Sequence, residues 1–269
     1  MKSIEELIEQ AKDIKIVFFD IDDTLRLKKE DYMPESVLEV FRKLKEKGVL
    51  TGIATGRILN LMPEEVRALE ADYLVTINGQ YVVANDGEEI FENSFPPDKL
   101  SEMLESLKEQ QANFAFASSR DLVVAKWDEI THATLDGYYN GLEADSEFNH
   151  RHRIYQILTF SEDADTLVIP EHLQDTFRFV KWYKYSNDIL PLHGSKANGI
   201  QKVLDKLNLL PENVLVFGDE LNDLEMFEHA GLAVAMGNAH EQLKPLADFV
   251  TKPVEEDGIL YALEQFKLI

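Results

Sequence analysis

Ile16-Val17-Phe18-Phe19 runs without a break into Asp20-Ile21-Asp22-Asp23-Thr24. A short apolar run with no polar alternation is the pattern of a strand buried on both faces, as in a parallel sheet covered by helices. In such sheets, ligand sites gather at the carboxyl ends of the strands. Carboxylates crowded at that place repel one another and lose solvation, so a cation between them is the simplest compensation. A hard divalent metal suits oxygen donors of this kind.

The flanking sequence supplies the helices. Ile4, Leu7, Ile8 and Ala11 fall at helical spacing before the first strand. Pro34 opens a second helix, with Val37, Leu38, Phe41 and Leu44 on one face and Gly48 placed to end it. Strands are expected over 49–54 and 73–77, with a helix over 63–70 between them. Strand and helix alternating in this way imply parallel order.

From Tyr81 the pattern changes. Val82-Val83 and Ile90-Phe91 flank Asn85-Asp86-Gly87, a hairpin turn. A helix over 98–111 and strands over 114–117 and 122–127 follow. Beyond them come a helix over 131–139, an apolar run over 154–160, a helix over 170–175 and a strand over 177–185. The first rhythm resumes after Pro191, with helices over 197–207, 224–229, 239–247 and 258–266 and strands over 214–217, 232–235 and 249–250. The expected fold is α/β: a doubly wound, Rossmann-like core formed by residues 1–80 and 190–269, with an inserted α+β cap over 81–189.

Composition narrows the function classes. Lys and Arg number 27 and Asp and Glu 50, a net charge of −23, so nucleic acid and anionic membranes are poor partners. The absence of cysteine excludes a disulfide framework, a thiol nucleophile and a thiolate metal site. Acidic residues in the first ten positions interrupt any signal-peptide run, and no stretch reaches the roughly 18 apolar residues of a membrane span. A cytoplasmic protein is expected. Neither a P-loop nor a dinucleotide fingerprint occurs.

Four separated segments carry chemistry: Asp20 to Thr24, Thr55-Gly56-Arg57, Ser195-Lys196, and Gly218-Asp219-Glu220-Leu221-Asn222-Asp223. Each stands at the end of an expected strand or the start of an expected helix. Together they offer a nucleophilic carboxylate, a second carboxylate two residues on, a hydroxyl, an ammonium and a distant acidic pair. Phosphoryl transfer through an aspartyl-phosphate needs such a set, because a cation must bridge nucleophile and phosphate before attack. Lys196 adds a further sign: at a helix start the dipole disfavours a cation by roughly 0.3–1 kcal/mol unless an anion lies close. Asn222 followed by Glu225 also reads as a helix cap.

These segments resemble the four motifs of the haloacid dehalogenase superfamily. Ala54-Thr55-Gly56-Arg57 and the run Gly218 to Asp223 are similar to those of its Cof-like phosphatases. The resemblance implies Asp20 as nucleophile and Mg2+ ligand, and Asp22 as general acid and base with its backbone carbonyl on the metal. It implies Asp219 and Asp223 on the metal, and Thr55, Gly56, Lys196 and Asn222 around the phosphate. Arg57 and Asn78 are assigned to substrate contact. The family usually has Gly where this chain has Asp23, and a small residue where it has Glu220.

The implied function is hydrolysis of a small phosphomonoester, such as a sugar phosphate, with the cap closing over the site. The alternatives are a phosphotransferase or sugar-phosphate mutase, and a non-catalytic phosphometabolite sensor. A monomer or weak homo-oligomer is expected. A phospho-receiver module uses similar residues but places its acidic pair first, in a chain of about half this length.

Overall fold

Ser3 starts α1 (Ile4–Ala11): its hydroxyl accepts from the Glu6 N–H, and the Glu6 carboxylate accepts from the Ser3 N–H in return. The computed structural model describes residues 2–136, 139 and 141–269, and the side chains of Lys181, Trp182 and Tyr183 lie outside that description. All four side chains of β1 (Ile16–Phe19) are buried. Helix α2 (Glu35–Glu46) follows Pro34 and buries Val37, Val40, Phe41 and Leu44. Leu38, expected on that face, is 51% exposed. Position 40 completes the stripe because 37, 40, 41 and 44 follow the i, i+3, i+4, i+7 spacing of one helix face.

Strand β2 (Leu50–Ala54), the short helix α3 (Glu64–Arg67) and β3 (Tyr73–Thr76) continue the alternation. Strands β4 (Tyr81–Ala84) and β5 (Glu89–Glu92) follow as the expected hairpin. Next come α4 (Pro97–Glu109), β6 (Asn113–Ala117), β7 (Leu122–Val124) and α5 (Glu129–Leu135). Then stand β8 (Gln156–Phe160), β9 (Phe177–Tyr183) and β10 (Ser186–Pro191). The chain ends with α6 (Lys196–Leu207), β11 (Val214–Gly218), α7 (Leu224–His229), β12 (Leu232–Ala235), β13 (Phe249–Val250) and α8 (Gly258–Gln265).

The chain forms two compact units: Met1–Gly56, Met62–Phe91 and Ser195–Ile269 make one, and Arg57–Leu61 with Glu92–Gly194 the other. The first holds an eight-stranded sheet in the order β13-β12-β11-β1-β2-β3-β4-β5. Its strands from β13 to β3 are parallel, and β4 pairs antiparallel with β3, Val75 opposite Val82. The hairpin assigned from sequence to the cap therefore extends the large sheet, and the first unit runs to Phe91. The physical reason is the short Ile77–Gly79 turn, which returns the chain beside β3 and satisfies that strand's open edge.

The second unit is a five-stranded antiparallel sheet, β7-β6-β8-β10-β9. Its own core includes Leu100, Met103, Phe116, Ile157 and Phe177. Two expected helices are absent as such. Residues 170–175 hold a single 3-10 turn, Glu171–Leu173, too short a stretch to sustain a helix without partners. Residues 239–247 hold the 3-10 turn Lys244–Leu246 rather than a helix, because Pro245 has no N–H to donate to the Glu241 carbonyl as a continuous helix would require. The helix expected over 131–139 is α5, capped by Asp128, whose carboxylate accepts from the Thr131 N–H. Gly137 and Tyr138, in the rest of that span, lie outside the described residues. Among the described residues, no helix is long and apolar enough to cross a membrane.

Candidate active site

Strand β1 lies between β11 and β2, so the chain winds outward from it in both directions. That reversal opens a crevice at the carboxyl ends of β1 and β11. Asp20 is the residue after β1, and its N–H donates to the Phe217 carbonyl of β11 at 3.0 Å. Asp219 is the residue after β11. With Asp223 these two bring three buried carboxylate oxygens within 4.8 Å of one another. Residues 20 and 219 are far apart in sequence and become neighbours only through the parallel pairing of Ile16–Phe19 with Val214–Phe217.

Lys196 enters from the start of α6 and is buried. Its ammonium stands 2.8 Å from Asp20 Oδ1 and 2.7 Å from Asp223 Oδ1. Those carboxylates are the anions that offset the unfavourable helix-end position. The other oxygen of Asp223 accepts from the N–H groups of Asp219 (2.9 Å) and Glu220 (3.2 Å). Gly218 permits this fold-back, since a Cβ there would lie 2.5 Å from Asp223 Oδ2. Thr24 donates its hydroxyl to Asp219 Oδ1 at 2.8 Å.

The charges do not cancel. Burial pushes the Asp20 carboxyl above its usual range, against the opposing pull of Lys196, and the nearby charge of Asp223 adds to the rise. Burial also raises Asp219, reinforced by Asp20 and Asp223. Lys196 is held firmly charged by Asp20 and Asp223 despite its burial. Three oxygen donors around one ammonium leave an excess of negative charge when all are ionised. That donor set fits a hard divalent cation such as Mg2+, which takes oxygen ligands and keeps several waters.

A pH signature follows. An acid with a raised folded-state pKa favours the fold when protonated, so its stabilisation is present at low pH and is lost as pH rises above the ordinary Asp value. A cation removes that loss by favouring the ionised form, at about 1.4 kcal/mol per unit of pKa lowered. The rise in melting temperature on adding Mg2+ is therefore expected to grow from pH 5 to pH 9, measured against EDTA-treated protein. A constant increment would mean that the carboxylates are already ionised without metal.

Thr55, the residue after β2, is buried, and its N–H donates to the Val75 carbonyl at 2.8 Å. Its carbonyl accepts from the Asn78 N–H at 3.0 Å. Asn78 lies in a run of three left-handed residues, with φ of 53° at Ile77, 51° at Asn78 and 84° at Gly79. A β-branched side chain is an outlier there, and such strain costs on the order of 1–3 kcal/mol. The turn is held from two sides. Asn78 Oδ1 accepts from Asn222 Nδ2 at 3.2 Å, and Gly79 lies so close to α6 that a Cβ would come within 1.9 Å of the Ser195 carbonyl. Gly56 is the third neighbour: a Cβ there would be 3.3 Å from the Asn78 amide. Gly79→Ala combines a disfavoured φ with a backbone collision and is expected to lose about 3 kcal/mol or more. Urea denaturation at pH 7 measures it.

Asp22 is half-buried and is not among the three clustered carboxylates. Asp23 adopts the left-handed conformation that a glycine would take, with φ of 59°. Its Oδ1 accepts from the Lys28 N–H at 3.1 Å, while Asn238 donates to its carbonyl at 2.7 Å. The extra acid is thus engaged by its own loop. Asn222, expected as a helix cap, is not one: Glu220 occupies the cap position before the Leu221–Asp223 turn, its carboxylate accepting from the Leu221 N–H. The Asn222 amide is turned to Asn78 instead. Arg57 belongs to the second unit, and its Nη1 donates to the Leu61 carbonyl at 2.8 Å.

Sequence reasoning missed Asn238 and the specific partnership of Thr24. Thr24 adjoins the acids, which was a usable signal. Asn238 follows β12 with no acid or phosphate motif beside it, and its contact with Asp23 spans 215 residues.

A family model described as haloacid dehalogenase-like hydrolase matches residues 17–263. A Streptococcus pyogenes protein, provisionally named a bifunctional phosphatase/peptidyl-prolyl cis-trans isomerase, is 45% identical over 260 residues, covering 97% of this chain and 55% of that protein. The chain thus spans about half the length of that relative. The provisionally named phosphatase YkrA of Bacillus subtilis is 35% identical over 262 residues, covering 96% of this chain and 99% of its own. Among solved structures, the sugar phosphatase BT4131 superposes with a TM-score of 0.77 at 28% identity, covering 95% of this chain and all of the other.

Proposed function

The chain belongs to the haloacid dehalogenase-like hydrolases and, within them, to a group of phosphatases; from that premise we propose that it hydrolyses a small phosphomonoester with the aid of Mg2+ through an aspartyl-phosphate on Asp20. The observation that carries this reading is the placement of Lys196 between Asp20 and Asp223 at the switch point of the sheet, 2.8 Å and 2.7 Å away.

In the first step a carboxylate oxygen of Asp20 attacks phosphorus, forming one P–O bond as the ester P–O bond breaks. Asp22 gives a proton to the departing oxygen. In the second, water attacks the same phosphorus, Asp22 takes its proton, and Asp20 is released with inorganic phosphate. Burial alone would keep Asp20 protonated and useless as a nucleophile; Lys196 opposes that effect. Lys196 and the Thr55 hydroxyl would hold the phosphoryl oxygens, Gly56 leaves room for them, and the Asn78–Asn222 pair borders the same place. Asp20, Asp219, Asp223 and the Asp22 carbonyl would hold Mg2+, which when bound neutralises phosphoryl charge and aligns nucleophile with ester. Thr24 would fix Asp219 for that role.

The relative BT4131 is named a sugar phosphatase, which supports sugar phosphates as the first esters to assay. The test is phosphate release from a panel of sugar and other small phosphomonoesters, with Mg2+ and with EDTA. Mg2+-dependent release in water, with no sugar acceptor, is expected. Transfer only to an added sugar would replace hydrolysis by phosphotransfer. Binding without turnover would leave a sensor.

A further inference from the structure

The loop that carries Asp22 closes on Arg26. The Ile21 carbonyl accepts from the N–H groups of Leu25 (3.0 Å) and Arg26 (3.1 Å), and the Asp23 N–H donates to the Arg26 carbonyl at 2.6 Å. Asp22 and Arg26 also face each other as an isolated parallel bridge. Beyond Arg26 the chain turns back through a small hairpin in which Leu27 and Tyr32 pair. Whatever fixes Arg26 thereby fixes the turn on which Asp22 stands.

The Arg26 side chain is only 3% exposed. Its Nε lies 2.9 Å from Glu65 Oε1 on α3, an ion pair in which the N–H is not aimed along the contact, and its Nη2 pairs with Asp31 of the hairpin. As a source of stability this is a poor arrangement. The guanidinium bears the full cost of desolvation, whereas Asp31 and Glu65 are 88% and 39% exposed, so water screens much of the attraction. What a guanidinium supplies that an apolar residue would not is reach to two acids at once, Asp31 through Nη2 and Glu65 through Nε. Here it ties α3 and the 27–32 hairpin to the Asp22 turn.

We propose that Arg26 is a positioning residue, which through its pairing with Glu65 and Asp31 holds the Asp22 carboxyl at the leaving oxygen of the ester. This rests on the phosphatase reading above. In the first chemical step the ester P–O bond breaks, and the proton from Asp22 ends on the departing oxygen. A sugar alkoxide needs that proton, whereas p-nitrophenolate is stable enough to leave without it. Misplacement of the acid should therefore harm one substrate and spare the other, which a general loosening of the fold would not do.

The experiment compares kcat/KM, which reports on events up to formation of the aspartyl-phosphate, for the sugar phosphate hydrolysed fastest by the wild-type protein and for p-nitrophenyl phosphate. In Arg26→Met the sugar phosphate is expected to lose about 100-fold, the scale for displacement of a catalytic group by about 1 Å. The p-nitrophenyl ester should lose less than about 5-fold, and Arg26→Lys should fall between Met and wild type. Equal losses on both esters, or no loss on either, overturn the proposal and leave the phosphatase reading standing. If Arg26→Met does not fold, Arg26→Lys and Glu65→Gln are read by the same criterion, unequal losses supporting the role and equal or absent losses ending it. A wild-type protein that cleaves neither ester refutes the phosphatase reading and the role of Arg26 together.

Discussion

Asp20→Asn is expected to reduce turnover by at least about 10³-fold while leaving the protein folded. The carboxamide has the shape of the carboxylate but cannot form the aspartyl-phosphate, a mixed anhydride, so the loss should appear in kcat for every substrate. Stability should behave differently. Burial raises the Asp20 carboxyl above its usual range even with Lys196 beside it, so its charge is on balance disfavoured by its surroundings. A neutral isostere removes that conflict, and Lys196 keeps Asp223 as a partner at 2.7 Å. Without Mg2+ at pH 8, Asp20→Asn should therefore melt at or above the wild-type temperature. Loss of turnover together with a lower melting point would indicate a damaged fold and remove the inference about the nucleophile.

Lys196→Met should have the largest effect on stability. It replaces a fully buried ammonium with an apolar chain of similar length and leaves Asp20 and Asp223 without their shared partner. Breaking a buried pair from one side costs about 3–5 kcal/mol, because the orphaned charge remains. For a chain of this size that is on the order of 10 °C in melting temperature. The sign of its pH dependence is fixed. The orphaned Asp20, whose carboxyl burial already raises, can take up a proton, so the deficit should shrink as pH falls toward 5 and widen as pH rises to 8. Activity should fall at every pH. A deficit that is the same at pH 5 and pH 8 would show that the ammonium does not compensate these carboxylates.

Legibility from sequence tracked how local each determinant was. The four-residue apolar run of β1 and the acids that follow it are contiguous, and burial on both faces leaves no alternation to confuse the pattern. Lys196 was legible through a conflict, a cation where a helix dipole disfavours one. The hairpin β4–β5 was visible as a hairpin, but its membership of the large sheet was not, because that depends on the register Val75–Val82 rather than on the turn. The spacing of Asn222 to Glu225 mimics a cap and so obscures its place beside the phosphate motif, while Glu220 occupies the cap position. Arg26 passed unnoticed for a general reason: an arginine is read as solvated unless a partner is known, and Glu65 lies 39 positions further on.

The two margins of the large sheet have a consequence for the molecule in concentrated solution. At one side β13 contributes only Phe249 and Val250, too little backbone to template a neighbour. At the other, β5 is four residues long and opens on the exposed Glu89, so a second copy pairing there would meet a charged side chain. Strand-by-strand growth into fibrils is thereby opposed at both ends. A sheet of eight strands can resist such growth because its borders are short on both flanks and charged on one.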